Sequence, residues 1–342
     1  MTAGPTRGRR WAAAAAFGRA AAGAFGAVVV VAATAVAVAA QASPPPPARP
    51  AARTRVPAAA VAFQRADTAA LRRTLDSLAG THRGVTGYVV HNLDTGERIA
   101  RDADAPYPTA SLVKVPILVA LFDQVAKGRI ALDDPLTVLR IDQVPGSGQL
   151  QFLHNGLAIT VRDAAWLMIT TSDNTATNLI LDRIGIRTVW QAMEARGLPR
   201  TKVHAKVFNR ATSLAPDSSV KYGLGVTTPD EMARLFALLA DGRAVSPAAD
   251  SQMVDMLVHN EDLTMLQRYV DDVRAAHKTG SVDAARTECS LWFLQSRVVA
   301  CVLTRENADQ RYSLDAGAHL VMARMGQAIV AAWPRAAARP AS

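Results

Sequence analysis

The chain has few aromatic residues and only two cysteines: 5% of its 342 residues are phenylalanine, tryptophan or tyrosine. The low aromatic content accompanies abundant alanine, which indicates the codon bias of a GC-rich genome more than a functional feature. The two cysteines, Cys289 and Cys301, and the seven scattered histidines match no zinc-ligand spacing. The sequence therefore predicts no metal site and no cofactor.

The chain also lacks positive charge where a nucleic-acid-binding domain would carry it. The formal net charge is +9, but arginines before residue 58 and after residue 333 account for all of the excess. Residues 58–333 are therefore neutral overall, whereas nucleic-acid binders cluster basic residues on the domain itself. The sequence predicts no nucleic-acid partner. Its 50% of hydrophobic residues suffices for one domain of about 250–280 residues plus tails, or for two small domains.

The N-terminus has the features of an export signal. Arg7, Arg9 and Arg10 precede an uncharged stretch from Ala20 to Ala42, which ends in the small-residue cleavage pattern Ala40-Gln41-Ala42. The stretch is also long enough for an uncleaved membrane anchor, and the paired arginines loosely fit a twin-arginine signal. We favour a cleaved signal in residues 1–42 and a periplasmic or secreted protein. The alternative is a membrane-anchored protein that faces outside.

Composition then divides the rest of the chain. Four consecutive prolines, Pro44 to Pro47, favour an extended spacer, so residues 43–59 are interpreted as a linker. One globular domain is expected over residues 60–335, and residues 336–342 are expected to be a disordered tail. No internal repeat is present, and the domain is expected to be a monomer.

Hydrophobic periodicity and turn residues predict the order of secondary structure in the domain. Helix and strands come first, helices fill the middle, and a β-hairpin and a last helix follow. The main expected elements are helices at Phe63–Leu78, Ser111–Ala126, Val161–Thr170, Asn174–Ile184 and Tyr312–Ala332, and strands at Val85–Leu93, Arg98–Arg101, Ser290–Leu294 and Val298–Leu303. This order predicts an α+β fold, an α/β/α sandwich whose antiparallel sheet uses both chain ends and carries an inserted helical lobe.

The expected hairpin near the C-terminus brings the two cysteines together. Its turn is centred on Gln295, and Cys289 and Cys301 each lie six residues from that centre. Directly opposed residues of an antiparallel pair are near disulfide range. Two buried thiols are the alternative, but export permits a bridge, and we expect one.

Three short motifs carry the candidate chemistry. The first is Ser111-Leu112-Val113-Lys114, which opens an apolar helix and places a hydroxyl and an amine on one helix face. Buried there, Lys114 could lose its proton and activate Ser111 as a nucleophile. Ser218-Ser219-Val220-Lys221 has the same pattern but opens no apolar helix, which shows how little this motif means alone.

The second motif is Ser172-Asp173-Asn174, at the junction of two predicted helices. All three residue types cap helices, which is the simplest explanation. As part of a site, Ser172 would relay a proton to a leaving amine, and Asn174 would bind substrate and position Lys114.

The third motif is Lys278-Thr279-Gly280, followed by Ser281 and a β-rich run. An exposed turn is its simplest explanation. As part of a site, a strand edge could pair with an extended acyl substrate, and Lys278 and Thr279 would hold its carboxylate.

The order and spacing of the three motifs resemble class A β-lactamases and related penicillin-binding proteins, over about residues 62–333. The resemblance implies an acylated nucleophile at Ser111, with Lys114 a candidate base. It implies an oxyanion hole formed by the amides of Ser111 and Ser281, substrate contacts along Lys278–Ser281, and a contribution from Arg286 to carboxylate binding. It implies a β-lactam or a D-Ala-D-Ala-like peptide as the small-molecule substrate.

One part of the family pattern is missing. Class A β-lactamases carry a loop glutamate that holds the hydrolytic water, and here the aligned position falls on Ala205, with Asn209 as the pattern's asparagine. Candidate substitutes are His204, Lys206 and Asp217, although the first two are expected to be solvated loop residues. We therefore expect slow deacylation. The alternatives are a D,D-peptidase or esterase, or a β-lactam or peptidoglycan sensor that acylates without turnover.

Overall fold

The computed structural model describes residues 63–336. The predicted export signal at 1–42, the predicted linker at 43–59 and all but the first residue of the predicted tail lie outside the described residues. Within the described part, no helix is long and apolar enough to cross a membrane.

The described chain alternates helices and strands in the expected order. The helices are α1 Thr68–Thr81, α2 Lys114–Ala126, α3 Val161–Thr170, α4 Asn174–Ile184, α5 Ile186–Ala195, α6 Pro216–Tyr222, α7 Pro229–Ala240, α8 Pro247–Val258 and α9 Gly317–Ala331. The strands are β1 Val85–Asn92, β2 Arg98–Arg101, β3 Tyr107–Pro108, β4 Pro135–Val138, β5 Leu157–Thr160, β6 Lys202–Val203, β7 Gly225–Thr227, β8 Ala275–Val282, β9 Ala285–Phe293 and β10 Arg297–Arg305.

The main sheet has five strands in the order β2-β1-β10-β9-β8, and all its pairings are antiparallel. Strands from the start of the domain therefore pair with strands from its end, and β8 is left at an edge. Helices α2 to α8 are inserted between them. The predicted α+β architecture, with a sheet from both chain ends and a helical lobe, is confirmed.

Alternating side chains of the sheet pack into two separate hydrophobic cores, because successive residues of a strand point to opposite faces. In β10, Val299 and Leu303 face the helical lobe together with residues of α2 and α7. Val298 and Val302 face the other core, with residues of α1 and α9. A sheet covered on both faces explains why β10 is an almost uninterrupted apolar run.

Some helix boundaries differ from the sequence prediction for local reasons. Helix α1 begins at Thr68 because the Asp67 side chain accepts a hydrogen bond from the amide of Ala70. Helix α9 begins at Gly317, five residues later than predicted, and the Asp309 carboxylate accepts a hydrogen bond from the Gly317 amide. Arg311 bridges Asp309 and Asp315 and so stabilises a loop where periodicity alone predicted helix.

The two cysteines form a disulfide across β9 and β10, as expected. They are direct register partners with Cα atoms 4.1 Å apart, and both are fully buried on the lobe face of the sheet. Cys289 is also the partner of Lys278 on β8. The bridge therefore joins the strand next to the third motif to the centre of the sheet.

We expect removal of this bridge to destabilise the fold measurably. The Cys289→Ala/Cys301→Ala variant should lose about 3 kcal/mol of unfolding free energy, because the bridge closes a loop with a sequence separation of 12. Urea unfolding of both proteins measures the difference. Reductant should lower the midpoint of the wild type alone, which separates loss of the bridge from loss of packing. Equal midpoints for oxidised wild type and variant would contradict the expectation.

Candidate active site

Ser111 lies in a tight turn at the start of α2. Residues Ala110–Val113 form a 3₁₀ turn, and the regular helix begins only at Lys114, whereas the sequence predicted helix from Ser111 onward. Ala110 has a φ of 46°, an unfavourable backbone conformation for a residue with a side chain. Ser111 is half-buried, and its hydroxyl has no hydrogen-bond partner among residues 63–336. The hydroxyl is therefore available to a bound molecule.

Lys114 is fully buried and its amine contacts the second motif directly. Nζ lies 2.5 Å from the carbonyl oxygen of Ser172, 3.0 Å from Ser172 Oγ and 2.9 Å from Asn174 Oδ1. The sequence predicted that Asn174 positions Lys114, and this contact is present. Lys114 thus joins the first two motifs into one cluster.

The surroundings of Lys114 favour its neutral form. Burial lowers the pKa of Lys114 well below its usual value, the charge of Lys278 lowers it further, and Asp173 acts in the opposite direction. A neutral amine has two N–H donors and one lone pair. With the donors directed to Ser172 O and Asn174 Oδ1, the lone pair can accept from the Ser172 hydroxyl. Lys114 and Ser172 can then exchange a proton.

The conformation of Ser172 is unusual and is stabilised by its neighbours. Its φ is 55°, in the left-handed region. Its carbonyl oxygen accepts from Ser147 Oγ at 2.7 Å as well as from Lys114. Asp173 is buried, and its carboxylate caps α4 and accepts from the amides of Gln149 and Leu150. These bonds fix the loop around residue 147 against the second motif.

Helix α4 also holds the loop at residues 204–215, which contains the position expected for a glutamate. Asn178, one helical turn after Asn174, donates to the carbonyl oxygen of Val207 at 3.1 Å and accepts from its amide at 2.8 Å. The neighbouring Phe208 ring lies over Gly146, next to the Asn174 amide group. The loop is therefore anchored at Val207, one helical turn along α4 from Asn174, which binds Lys114. The sequence predicts Ala205, two residues earlier, as the family's glutamate position.

The polar residues near that position have other partners. His204 is buried, not solvated as the sequence suggested, and its Nδ1 lies 3.0 Å from the carbonyl oxygen of Gly223. Lys206 forms an ion pair of 2.7 Å with Asp182. Asp217 is exposed in the first turn of α6. The residue of this loop that Asn178 holds, Val207, is apolar.

The third motif lies on edge strand β8 and packs against the turn that carries Ser111. A Cβ atom at Gly280 would lie 2.6 Å from the Thr109 carbonyl oxygen and 2.8 Å from the Leu112 amide, so only glycine allows this approach. Lys278 is fully buried, which excludes the exposed-turn explanation. Ser281 is half-buried at the end of the strand.

Burial and nearby carboxylates act in opposite directions on the pKa of Lys278 in the third motif. Burial lowers the pKa of Lys278 to about 8, although Asp262 and Glu288 act in the opposite direction. Thr279 Oγ1 donates to Asp262 Oδ2 at 2.6 Å, and the Lys278 amine donates to the Thr279 carbonyl oxygen at 3.0 Å. Lys278 is therefore a cation at neutral pH that loses its proton in mildly alkaline solution.

Arg286 is placed differently from the other predicted site residues. Its terminal nitrogens donate to the carbonyl oxygens of Val282, Ala285, Gln310 and Arg311. Its guanidinium also stacks over the ring of Tyr312 at 4.5 Å. With both terminal nitrogens committed to backbone acceptors, Arg286 stabilises the loop before α9, and its contacts give no support to a direct role in carboxylate binding.

The sequence thus identified the groups that the structure brings together: Ser111, Lys114, Ser172, Asn174, and the strand from Lys278 to Ser281. It gave no role to Asn178 or Asp262. Asn178 has a signal in its spacing, four residues after Asn174 on a helix, but Asp262 has none, because it lies in a loop 16 residues before Lys278.

Comparisons with known proteins identify the family of the chain. Residues 70–333 match the model of the family described as the beta-lactamase enzyme family. Beta-lactamase L2 of Stenotrophomonas maltophilia is 27% identical over 224 residues, which cover 61% of this chain and 69% of that protein.

Two solved structures extend the comparison to the fold. A beta-lactamase from Sphaerobacter thermophilus gives a TM-score of 0.68 at 26% identity, covering 77% of this chain and 97% of that one. A leucine-to-glutamate mutant of PBP-A, solved as an acyl-enzyme complex with penicillin G, gives a TM-score of 0.67 at 26% identity. That match covers 77% of this chain and 96% of the PBP-A chain.

Of the two Ser-x-x-Lys motifs, we expect the one at Ser111 to contain an activated serine and the one at Ser218 not to. An arylboronic acid should form a covalent adduct with the wild type and with Ser218→Ala, but not with Ser111→Ala, because Lys221 is exposed while Lys114 is buried. Boron NMR and titration calorimetry measure the adduct. An adduct of undiminished affinity in Ser111→Ala would show that another residue is the nucleophile.

Proposed function

The chain belongs to the beta-lactamase enzyme family of serine hydrolases, and from that premise we propose that it opens β-lactam amides through an acyl-enzyme on Ser111. The observation that carries the proposal is the buried Lys114 amine, held by Ser172 and Asn174 one helical turn after Ser111. Buried bases of this kind activate serine nucleophiles.

The geometry supports a definite course for acylation. Ser111 Oγ attacks the lactam carbonyl, its proton passes to Lys114, and the C–N bond breaks as the Ser172 hydroxyl gives a proton to the leaving nitrogen. Lys114 then returns a proton to Ser172, which its contact of 3.0 Å permits. Lys278 faces the substrate carboxylate as a cation, and the amides of Ser111 and Ser281 are the proposed oxyanion donors.

Hydrolysis of the acyl-enzyme needs a second base, and we propose that this step is slow. A water molecule must be held and deprotonated beside the ester carbonyl, and a positioned general base is worth about 10²–10⁴ in rate. The loop residue that Asn178 holds beside the second motif is Val207, which has no basic group. His204 and Lys206 are committed to Gly223 and Asp182.

The same observation is also compatible with other functions of this site. Ready acylation and slow deacylation by β-lactams are also expected of a D,D-peptidase or esterase acting on cell-wall peptides, or of a sensor of β-lactams or peptidoglycan. PBP-A, in the acyl-enzyme structure with penicillin G, is one of the solved relatives. Cleavage of a D-Ala-D-Ala peptide identifies the peptidase, and turnover of a chromogenic cephalosporin separates a β-lactamase from a sensor.

We also propose that the protein works outside the cytoplasm as a monomer. The basic start and small-residue cleavage pattern of residues 1–42 support export. The bridge between Cys289 and Cys301 suits an oxidising compartment.

We expect Val207→Glu to raise steady-state penicillin hydrolysis by about 10²-fold or more, because it supplies the missing base beside the acyl-enzyme. Val207→Gln, whose side chain has the shape of glutamate but no basic group, should leave turnover unchanged. Ala205→Glu should also leave it unchanged. Burst amplitude and steady-state rate are measured by stopped-flow, and the trapped adduct by intact mass.

Rapid hydrolysis by the wild type, without a burst or an adduct, would refute slow deacylation. Faster steady-state hydrolysis in Ala205→Glu but not in Val207→Glu would support Ala205 as the family's glutamate position, as the sequence predicts.

We expect acylation to depend on pH through both lysines. Lys114 must be neutral, so the rate should fall as the pH drops below its lowered pKa. Lys278 must be charged to hold a carboxylate, so the rate should also fall as the pH rises through about 8. A β-lactam methyl ester, which has no carboxylate, should lose the alkaline limb alone. Identical profiles for acid and ester would contradict the role of Lys278.

A further inference from the structure

A cavity of about 770 Å³ opens beside the end of β8. We call it the side cleft. Its walls include Phe208 and Arg210 from the 204–215 loop, Lys221 from α6, Ser281 from β8, and Tyr312 from the loop before α9. This volume is in the range of small-molecule sites in proteins. The acylation and hydrolysis steps proposed above do not involve Arg210, Lys221 or Tyr312.

The side cleft is continuous with the candidate active site at two points. Ser281 lines it and directly follows Gly280, which packs against the turn of Ser111. Phe208 also lines it, and its ring lies over Gly146 next to the amide of Asn174. A substrate acylated on Ser111 can therefore extend its acyl chain between Phe208 and Ser281 into the cleft.

The walls of the cleft combine exposed aromatic rings with uncompensated charge. Phe208 is 69% exposed and Tyr312 59% exposed. Phe208 has a φ of 57°, so its backbone conformation, like that of Ser172, is one a non-glycine residue rarely adopts. Large rings that remain in solvent beside a catalytic serine are typical of binding surfaces.

Two of the cations in the cleft have no acidic partner. Neither Arg210 nor Lys221 has a carboxylate within 4 Å among residues 63–336, and the Lys221 amine lies over the Tyr222 ring at 5.1 Å. The other charged groups in the cleft are Arg305 and Glu306, which pair with each other, and Asp283, whose carboxylate accepts from the Tyr312 hydroxyl at 2.9 Å.

We propose that Arg210 and Lys221 in the side cleft make the protein favour substrates whose acyl chain ends in a carboxylate. This inference rests on the proposed function, because the acyl chain reaches the cleft from Ser111. The aromatic rings contact the apolar part of the chain, and the two cations bind its anionic end.

The test compares two cephalosporins that differ in one group. One carries a glutaryl chain on its amino group, and the other carries the amide of that chain, of equal size but without charge. We expect the wild type to be acylated about fivefold faster by the glutaryl compound, because two exposed ion pairs contribute modestly. The Arg210→Gln/Lys221→Gln variant should lose this preference, and added salt should reduce it.

Two controls make the result specific. Arg72→Gln removes an exposed positive charge on α1 and should keep the preference. Noncovalent binding of both compounds to Ser111→Ala measures the preference without acylation. Equal rates and equal binding for the two compounds would overturn the inference and leave the proposed function intact. Preferential binding without any acylation would support the cleft assignment and refute the proposed function.

Discussion

Among residues 63–336 no carboxylate pairs with the buried amine of Lys114, and most features of the site follow from that constraint. A buried cation is costly unless opposite charge or hydrogen bonds compensate it. Here the surrounding groups are neutral oxygens of Ser172 and Asn174, and a second cation, Lys278, is close enough to lower the pKa further. Folding therefore favours the neutral amine, which is the form that can take a proton from a serine.

The three motifs are held in place by residues and elements that surround them. The unfavourable backbone conformations of Ala110 and Ser172 persist because neighbouring elements determine them. Gly280 packs against the first turn, and Ser147 and the Asp173 carboxylate secure the second motif. The sheet supports the third motif, since β8 pairs along its length with β9, which the disulfide joins to β10.

The site has several polar groups around Lys114 and an apolar residue on the loop beside α4. Ser172 and Asn174 contact the Lys114 amine, whereas the loop residue that Asn178 holds is Val207. Asn178 bonds the backbone of Val207, so these bonds do not depend on the side chain at that position.

The sequence by itself determined the parts that depend on local pattern: the three motifs, the order of elements and the pairing of the cysteines by hairpin symmetry. It could not decide contacts between distant segments. The sequence predicts Ala205 as the family's glutamate position, whereas in the structure Asn178 on another element holds the loop at Val207. Arg286 faces backbone carbonyls, and Asp262 bonds Thr279. Spacing along a chain predicts neighbours within a helix or hairpin, whereas only tertiary packing decides which loop meets which side chain.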